Sequence, residues 1–190
     1  MEKLEIARRQ LGTALQLYID DLDPVSVHSL AGNAHEIIHR LADISGTRTF
    51  RDHVSETFSG FSSKQYFNAA NFFRNAFKHL DKVGDQVLID QFDDEQNKHL
   101  LFVCWYTYGN LTSLPIEAQC FELWYFALEG ERSSDKELVR DAVSYFGEMG
   151  DLPTSKQKLC LRAGIETARS DEITMSDPRT ECLPLVYRND

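Results

Sequence analysis

The stretch from Phe67 to Lys82, FNAANFFRNAFKHLDK, repeats its apolar residues with the period of an α-helix. At about 100° per residue, apolar side chains fill one arc of the helical wheel and polar side chains fill an opposite arc roughly 140° wide. The apolar arc contains Tyr66, Ala69, Ala70, Phe72, Phe73, Ala76, Phe77 and Leu80. The polar arc, called here the 71–82 ridge, contains Asn71, Arg74, Asn75, Lys78, His79 and Lys82. We predict a single helix that buries the apolar arc and exposes this cationic ridge.

Helical periodicity and helix-terminal residues extend over most of the remaining chain. Asp23 followed by Pro24 is typical of a helix N-terminus, and Gly46 is typical of the residue after a helix. We predict further helices over residues 2–19, 24–45, 50–58, about 95–111, 115–130, 136–146 and about 155–169. The predicted fold is an all-α bundle of six to eight helices, with one domain over residues 1–170 and a C-terminal tail over residues 171–190. We expect the tail to dock through Leu183, Leu185, Val186 and Tyr187.

The chain is strongly acidic, with 190 residues, a formal net charge of -10 and a pI of about 5.0. This charge disfavours extended contacts with nucleic acid or an anionic membrane surface, but it allows a local basic site. The N-terminus lacks an apolar signal-peptide core and no stretch approaches about 18 apolar residues, so we predict no membrane association. The four cysteines are dispersed without a C-x-x-C pair, which favours a cytoplasmic location.

Arg74, Asn75 and His79 form the pattern R-N-x-x-x-H within the predicted helix. This pattern resembles the Arg-x4-His signature of HEPN-domain proteins, all-α proteins that carry the signature on a long helix. Further similarity to uncharacterised bacterial HEPN-like proteins lies in LAG at 30–32 with EII at 36–38, and in NFFRN at 71–75 with KHLD at 78–81. The resemblance covers roughly residues 25 to 130. It implies a HEPN-like fold for the predicted bundle.

The resemblance also implies metal-independent RNA cleavage, without a cofactor, by a homodimer in which two copies of the motif meet. In such a reaction the RNA 2′-hydroxyl loses a proton while the phosphorane gains negative charge. A histidine of pKa about 6.5 transfers protons near neutral pH, so His79 is the predicted acid/base. Arg74 is predicted to bind the phosphate through its planar guanidinium, and Asn75 to orient the histidine ring or the substrate. The predicted phosphate or RNA ligands are Lys78, Asn71 and Lys82.

Arg74 and His79 lie about 140° apart on an ideal helix, so a single chain directs them poorly at one atom. This agrees with a site completed by a second chain, and we predict a homodimer with the two ridges near its two-fold axis. The first functional hypothesis is an endoribonuclease of a bacterial defence or toxin–antitoxin system, with an antitoxin protein as a candidate partner. The alternative is a non-catalytic HEPN-like module whose ridge binds a nucleotide or a protein.

A second motif, His35-Glu36-Ile37-Ile38-His39, matches the H-E-x-x-H pattern of zinc hydrolases. In that pattern two histidines one helical turn apart bind zinc, and the glutamate activates a water molecule. The longer form of the motif is absent, because Ala42 and Ser45 stand where glycine and histidine are required. No predicted sheet precedes the helix either. A zinc-dependent hydrolase through His35, Glu36 and His39 is therefore the third hypothesis, and we otherwise predict no metal.

Overall fold

The computed structural model describes residues 2–58, 60, 62–78 and 90–187, and their regular structure is almost entirely α-helical. The helices are α1 (Lys3–Ile19), α2 (Pro24–Ser45), α3 (Phe50–Thr57), α4 (Ser63–Ala70), α5 (Phe72–Lys78), α6 (Glu95–Gly109), α7 (Ile116–Glu129), α8 (Lys136–Phe146), α9 (Thr154–Ser170) and α10 (Glu172–Ser176). A 3₁₀ turn (Gly130–Arg132) follows α7, and two short strands are β1 (Leu114–Pro115) and β2 (Thr180–Glu181). The all-α prediction is confirmed. Six of the helices in these residues have eleven or more residues, and four are shorter.

The first two helices pack along their length and form one side of the core. α2 begins at the predicted residue, because Pro24 follows Asp23, whose carboxylate accepts a hydrogen bond from the backbone N–H of Ser26. It ends at Gly46, whose φ of 67° is costly for a residue with a Cβ atom. The facing sides bury small and branched apolar residues, namely Ala7, Leu11, Ala14, Leu15, Val27, Ala31, Ala34 and Ile38. Burial of these residues fixes the orientation of α2, which carries the residues that meet α5.

The other side of the core is built by α6, α7 and α9. Trp124 of α7 is fully buried, and its indole N–H donates to the backbone oxygen of Gln157 at 2.9 Å. Lys158 of α9 is also buried, and its ammonium lies 2.7 Å from a carboxylate oxygen of Asp21 and 2.5 Å from one of Asp94. A buried ammonium requires such partners, so this lysine connects α9 to the segments before α2 and before α6.

The predicted single helix over 67–82 is instead two helices that meet at Asn71. α4 ends at Ala70 and α5 begins at Phe72, and the asparagine between them has φ -99° and ψ 4°. The break is slight, because the Asn71 N–H still donates to the Phe67 oxygen at 3.0 Å and the Asn75 N–H donates to the Asn71 oxygen at 2.9 Å. The side-chain oxygen of Asn71 accepts from Arg74. The part of the prediction from 79 to 82 lies outside the described residues.

The C-terminal segment is packed on the helical body through residue 187. Thr180 and Glu181 pair in parallel with Leu114 and Pro115, so β2 lies against β1. The expected docking through apolar residues is selective, since Leu185 is 3% exposed whereas Leu183 is 53% exposed. Among the described residues, no helix combines the length and the apolar character that a membrane span requires.

Candidate functional site

Arg74, the predicted phosphate ligand, is directed toward α2. Its Nη2 lies 2.9 Å from Oε2 of Glu36 in an ion pair, and its Nη1 donates to Oδ1 of Asn71 at 3.0 Å. Its methylene chain packs on Gly32, because a Cβ atom added there would lie 2.7 Å from Cδ of the arginine. Only 12% of the arginine side chain is exposed. The guanidinium therefore links α5 to α2, and its charge already has a carboxylate partner within the chain.

The other predicted members of the ridge are placed differently from one another. Asn71 is half-buried and accepts the hydrogen bond from the guanidinium, whereas Asn75 and Lys78 are exposed. His79, the predicted acid/base, and Lys82 lie outside the described residues. Among the described ridge residues, the structure thus brings one asparagine and the arginine into contact and leaves the other two open to solvent.

The residues of α4 and α5 that face away from α2 form an uncharged surface, called here the outer α4–α5 face. Its members are all exposed, at i, i+3, i+4 and i+7 spacing, and are Gln65, Asn68, Ala69, Phe72 and Asn75. The largest apolar group on it is Phe72, which is 44% exposed. The exposed lysines Lys64 and Lys78 stand at its two ends. The face combines amides with one aromatic ring and carries no formal charge between those ends.

This face reverses the expected orientation of the segment. The prediction placed Ala69 and Phe72 in the buried arc and Arg74 on the exposed ridge, and the structure shows Ala69 and Phe72 exposed and Arg74 largely covered. The reason is local, because Gly32 leaves space on α2 for the arginine methylenes and Glu36 receives the guanidinium. A long amphipathic side chain can bury its stem while its charged end pairs near the surface.

The two histidines of the H-E-x-x-H motif are buried against Tyr66 of α4. Nε2 of His35 lies 3.3 Å from the Tyr66 hydroxyl, and Nε2 of His39 lies 3.1 Å from it. A hydroxyl can donate to one ring and accept from the other, which satisfies both Nε2 atoms with both rings neutral. Glu36 is exposed and directed to Arg74. The motif therefore serves to hold α4 on α2.

Burial dominates the protonation of this histidine pair. Desolvation lowers the pKa of His35 to about 3, and the adjacent His39 ring and Arg74 add to the effect. Desolvation likewise lowers the pKa of His39 to about 4, with a further contribution from Arg51. Both Nε2 atoms converge on the Tyr66 hydroxyl, so the phenol occupies the position at which the two histidines would meet a zinc ion, and the glutamate is paired with Arg74.

Another group with metal-ligand chemistry lies where α6 meets the end of α7. Ligand atoms of Glu95, His99 and Glu129 are within 4.8 Å of one another. The ammonium of Lys98 already lies 2.7 Å from an oxygen of Glu95 and 2.6 Å from one of Glu129. A bound cation would have to displace this lysine, so the group is explained as an ion-pair network.

Comparisons with known protein families, with curated proteins and with solved structures give no match for this chain. The HEPN resemblance therefore remains a prediction that rests on the motif residues.

The sequence does not predict two contacts that determine the roles of the residues in the two motifs. The first is the pairing of Arg74 with Glu36 across 38 positions, for which the glycine at 32 is a weak signal of close helix approach. The second is the contact of Tyr66 with the histidine pair, because a place in the apolar arc predicts only packing for this tyrosine. Neither partner is adjacent to its motif in sequence, so neither relationship follows from spacing alone.

Proposed function

We propose that this chain is a HEPN-like, non-catalytic protein-interaction module that associates with a second copy of itself through the outer α4–α5 face. The observation that carries the proposal is the ion pair between Arg74 and Glu36. An RNA phosphate would have to compete with a carboxylate that lies in the same chain, is covalently tethered and is already at hydrogen-bond distance. Such competition weakens the arginine as a phosphate ligand.

The charge of the chain further supports protein binding over RNA binding. A formal net charge of -10 repels a polyanion. The exposed carboxylate of Glu36 also lies beside Arg74, the one cation of the described motif residues that contacts α2. Lys78 is the remaining exposed cation of the described ridge. These charges do not provide the continuous basic surface that usually accompanies RNA recognition.

Symmetry supports a second copy as the partner. In a two-fold interface each residue near the axis lies close to its own counterpart, so a charged face would oppose like charge with like charge. The outer α4–α5 face avoids this cost because its exposed members between Lys64 and Lys78 are neutral. Phe72 provides an aromatic ring for the centre of the contact, the type of residue that contributes most to interfaces.

The rival function is the metal-independent RNA cleavage that the motif resemblance implies, in a defence or toxin–antitoxin setting. RNA breakdown by purified protein in excess chelator distinguishes the two functions, with His79→Ala and Arg74→Ala as variants. The proposal expects the same RNA half-life with wild type, with either variant and without protein. Cleavage by wild type that His79→Ala abolishes would contradict it, and a trace contaminating nuclease would affect all three preparations alike.

A further inference from the structure

A large cavity opens on the side of the bundle formed by the second half of the chain. It has a volume of about 1040 Å³ and lies between α7, α8, α9 and the segment that connects α10 to β2. Its walls are mainly apolar and include Leu114, Ile116, Leu123, Phe126, Leu138 and Ala168. This volume is at the upper end of the range typical of pockets for small organic ligands.

One charged residue of this wall, Glu122 of α7, has an oxygen without a partner. Its Oε1 is shielded from solvent and receives no hydrogen bond in the structure, although the rest of the side chain is only half-buried. Neighbouring polar groups are already engaged. The Gln119 amide donates to the backbone oxygen of Leu114 at 3.1 Å, and the Tyr145 hydroxyl donates to that of Gly164 at 2.9 Å. Because solvent does not reach this oxygen, a ligand in the cavity would not bond to it directly, but a cation beside the carboxylate would offset the cost of burying its negative charge.

We propose that this cavity binds a small organic amine, whose ammonium pairs with Glu122 and whose apolar body packs on the surrounding wall. A buried carboxylate is stabilised by a nearby positive charge, and the cationic nitrogen of an amine supplies one. The strongly negative chain attracts cations from solution. Phe126 and Tyr145 also line the cavity, and aromatic side chains can pack against an ammonium or an apolar ligand.

The protonation of Glu122 gives the proposed site a specific thermodynamic signature. Burial raises the pKa of Glu122 to about 8, so the carboxyl is mostly protonated at neutral pH in the empty site. An ammonium favours the ionised form, so its binding at neutral pH should release close to one proton from the glutamate. A neutral ligand of the same shape would not release it.

Titration calorimetry with phenethylamine and with its neutral isostere 2-phenylethanol tests the proposal on the full chain. Measurements in two buffers that differ in ionisation enthalpy give the number of protons released. We expect the amine to bind at least about tenfold more tightly than the alcohol at neutral pH, with release of about one proton. In Glu122→Gln the preference for the amine and the proton release should both disappear. Glu137→Gln, at an exposed position of α8, is the matched control and should behave as wild type.

Three results would overturn the proposal: no saturable binding of the amine, equal affinity for amine and alcohol, or unchanged proton release in Glu122→Gln. Comparison of the two ligands on wild-type protein needs no variant, so it decides the question even if Glu122→Gln fails to fold. Because the cavity is separate from the outer α4–α5 face, loss of self-association would leave the amine result unchanged.

Discussion

Arg74 and Glu36 form an ion pair, with 2.9 Å between Nη2 and Oε2, that connects α5 to α2 across 38 positions of sequence. The glutamate belongs to one motif that the sequence offers and the arginine to the other. Because Glu36 is paired with Arg74, it is not directed at a zinc-bound water. Because Arg74 is paired with Glu36, its guanidinium is not free for an RNA phosphate. The ion pair therefore joins the two motifs in one structural contact between α5 and α2.

Because the Arg74 methylenes contact Gly32, the effect of Gly32→Ala on stability should depend on whether the arginine side chain is present. Gly32→Ala in the wild type should destabilise the fold by about 1–2 kcal/mol, because the new Cβ would lie 2.7 Å from Cδ of the arginine. In Arg74→Ala the same change should stabilise the fold by up to about 1 kcal/mol, because alanine has the higher helix propensity. Urea unfolding at one protein concentration measures both values.

The sign change between the two backgrounds is the informative result. Equal effects of Gly32→Ala with and without the arginine side chain would mean that Arg74 does not pack on α2 in solution. Gly150→Ala serves as a control, since an added Cβ there meets no atom within 4 Å and should respond identically in both backgrounds.

Removal of the Tyr66 hydroxyl should leave the two buried histidines without a hydrogen-bond partner at Nε2. In Tyr66→Phe the Nε2 atoms of His35 and His39 lose their hydroxyl partner inside the protein, so we expect a loss of about 1–3 kcal/mol in the free energy of unfolding. Tyr187→Phe is the matched control because that ring lies over Arg9 and keeps this contact without its hydroxyl. Chemical unfolding of both variants provides the measurement. A near-neutral Tyr66→Phe would show that the hydroxyl does not serve the histidines.

The histidine pair also predicts how stability depends on pH. Burial lowers the pKa of His35 to about 3 and that of His39 to about 4 in the fold, whereas an unfolded histidine has a pKa of about 6.5. Below about pH 6.5 the unfolded chain binds protons that the folded chain does not, so stability is lost as pH falls toward about 4. Each histidine contributes up to about 1.4 kcal/mol per pH unit in this window.

Unfolding free energies measured between about pH 7 and about pH 5 check this prediction against the double variant His35→Gln with His39→Gln. The variant should lose the part of this pH dependence that the two histidines contribute. The part that remains should reflect His28, whose pKa burial lowers, and Glu122, whose pKa burial raises. An equally steep decline in the variant would assign the pH dependence to other groups, and would mean that the two rings are not buried as neutral groups.

Much of the helical framework follows from local signals in the sequence. Asp23 with Pro24 and the left-handed Gly46 define both ends of α2, because capping and φ preferences act over a few residues. The two-residue strands are different, since Leu114 and Thr180 pair across a large separation and carry no periodic pattern. The short helix α10 is likewise not predicted, because it lies in a polar segment whose composition is typical of a tail.

The orientation of α4 and α5 shows where periodicity fails. The sequence distinguishes a polar arc from an apolar arc, and hydrophobicity alone favours burial of Phe72 over Arg74. In the structure Phe72 is exposed and Arg74 is largely buried. The reason is that Gly32 of α2 leaves space for the arginine methylenes and Glu36 pairs with the guanidinium. Such complementarity between distant elements is a tertiary property, and it overrides the amphipathic pattern of a short helix.

Sedimentation equilibrium of wild type and Phe72→Lys at about 10 μM tests the proposed interface most directly. We expect a wild-type mass of twice the 21.8 kDa chain. We expect a single-chain mass for Phe72→Lys, because two lysines would oppose each other near the axis. Ile173→Lys, at an 81% exposed position of α10, is the matched control and should remain a dimer. A monomeric wild type, or a Phe72→Lys variant that is still dimeric, would contradict self-association through the outer α4–α5 face.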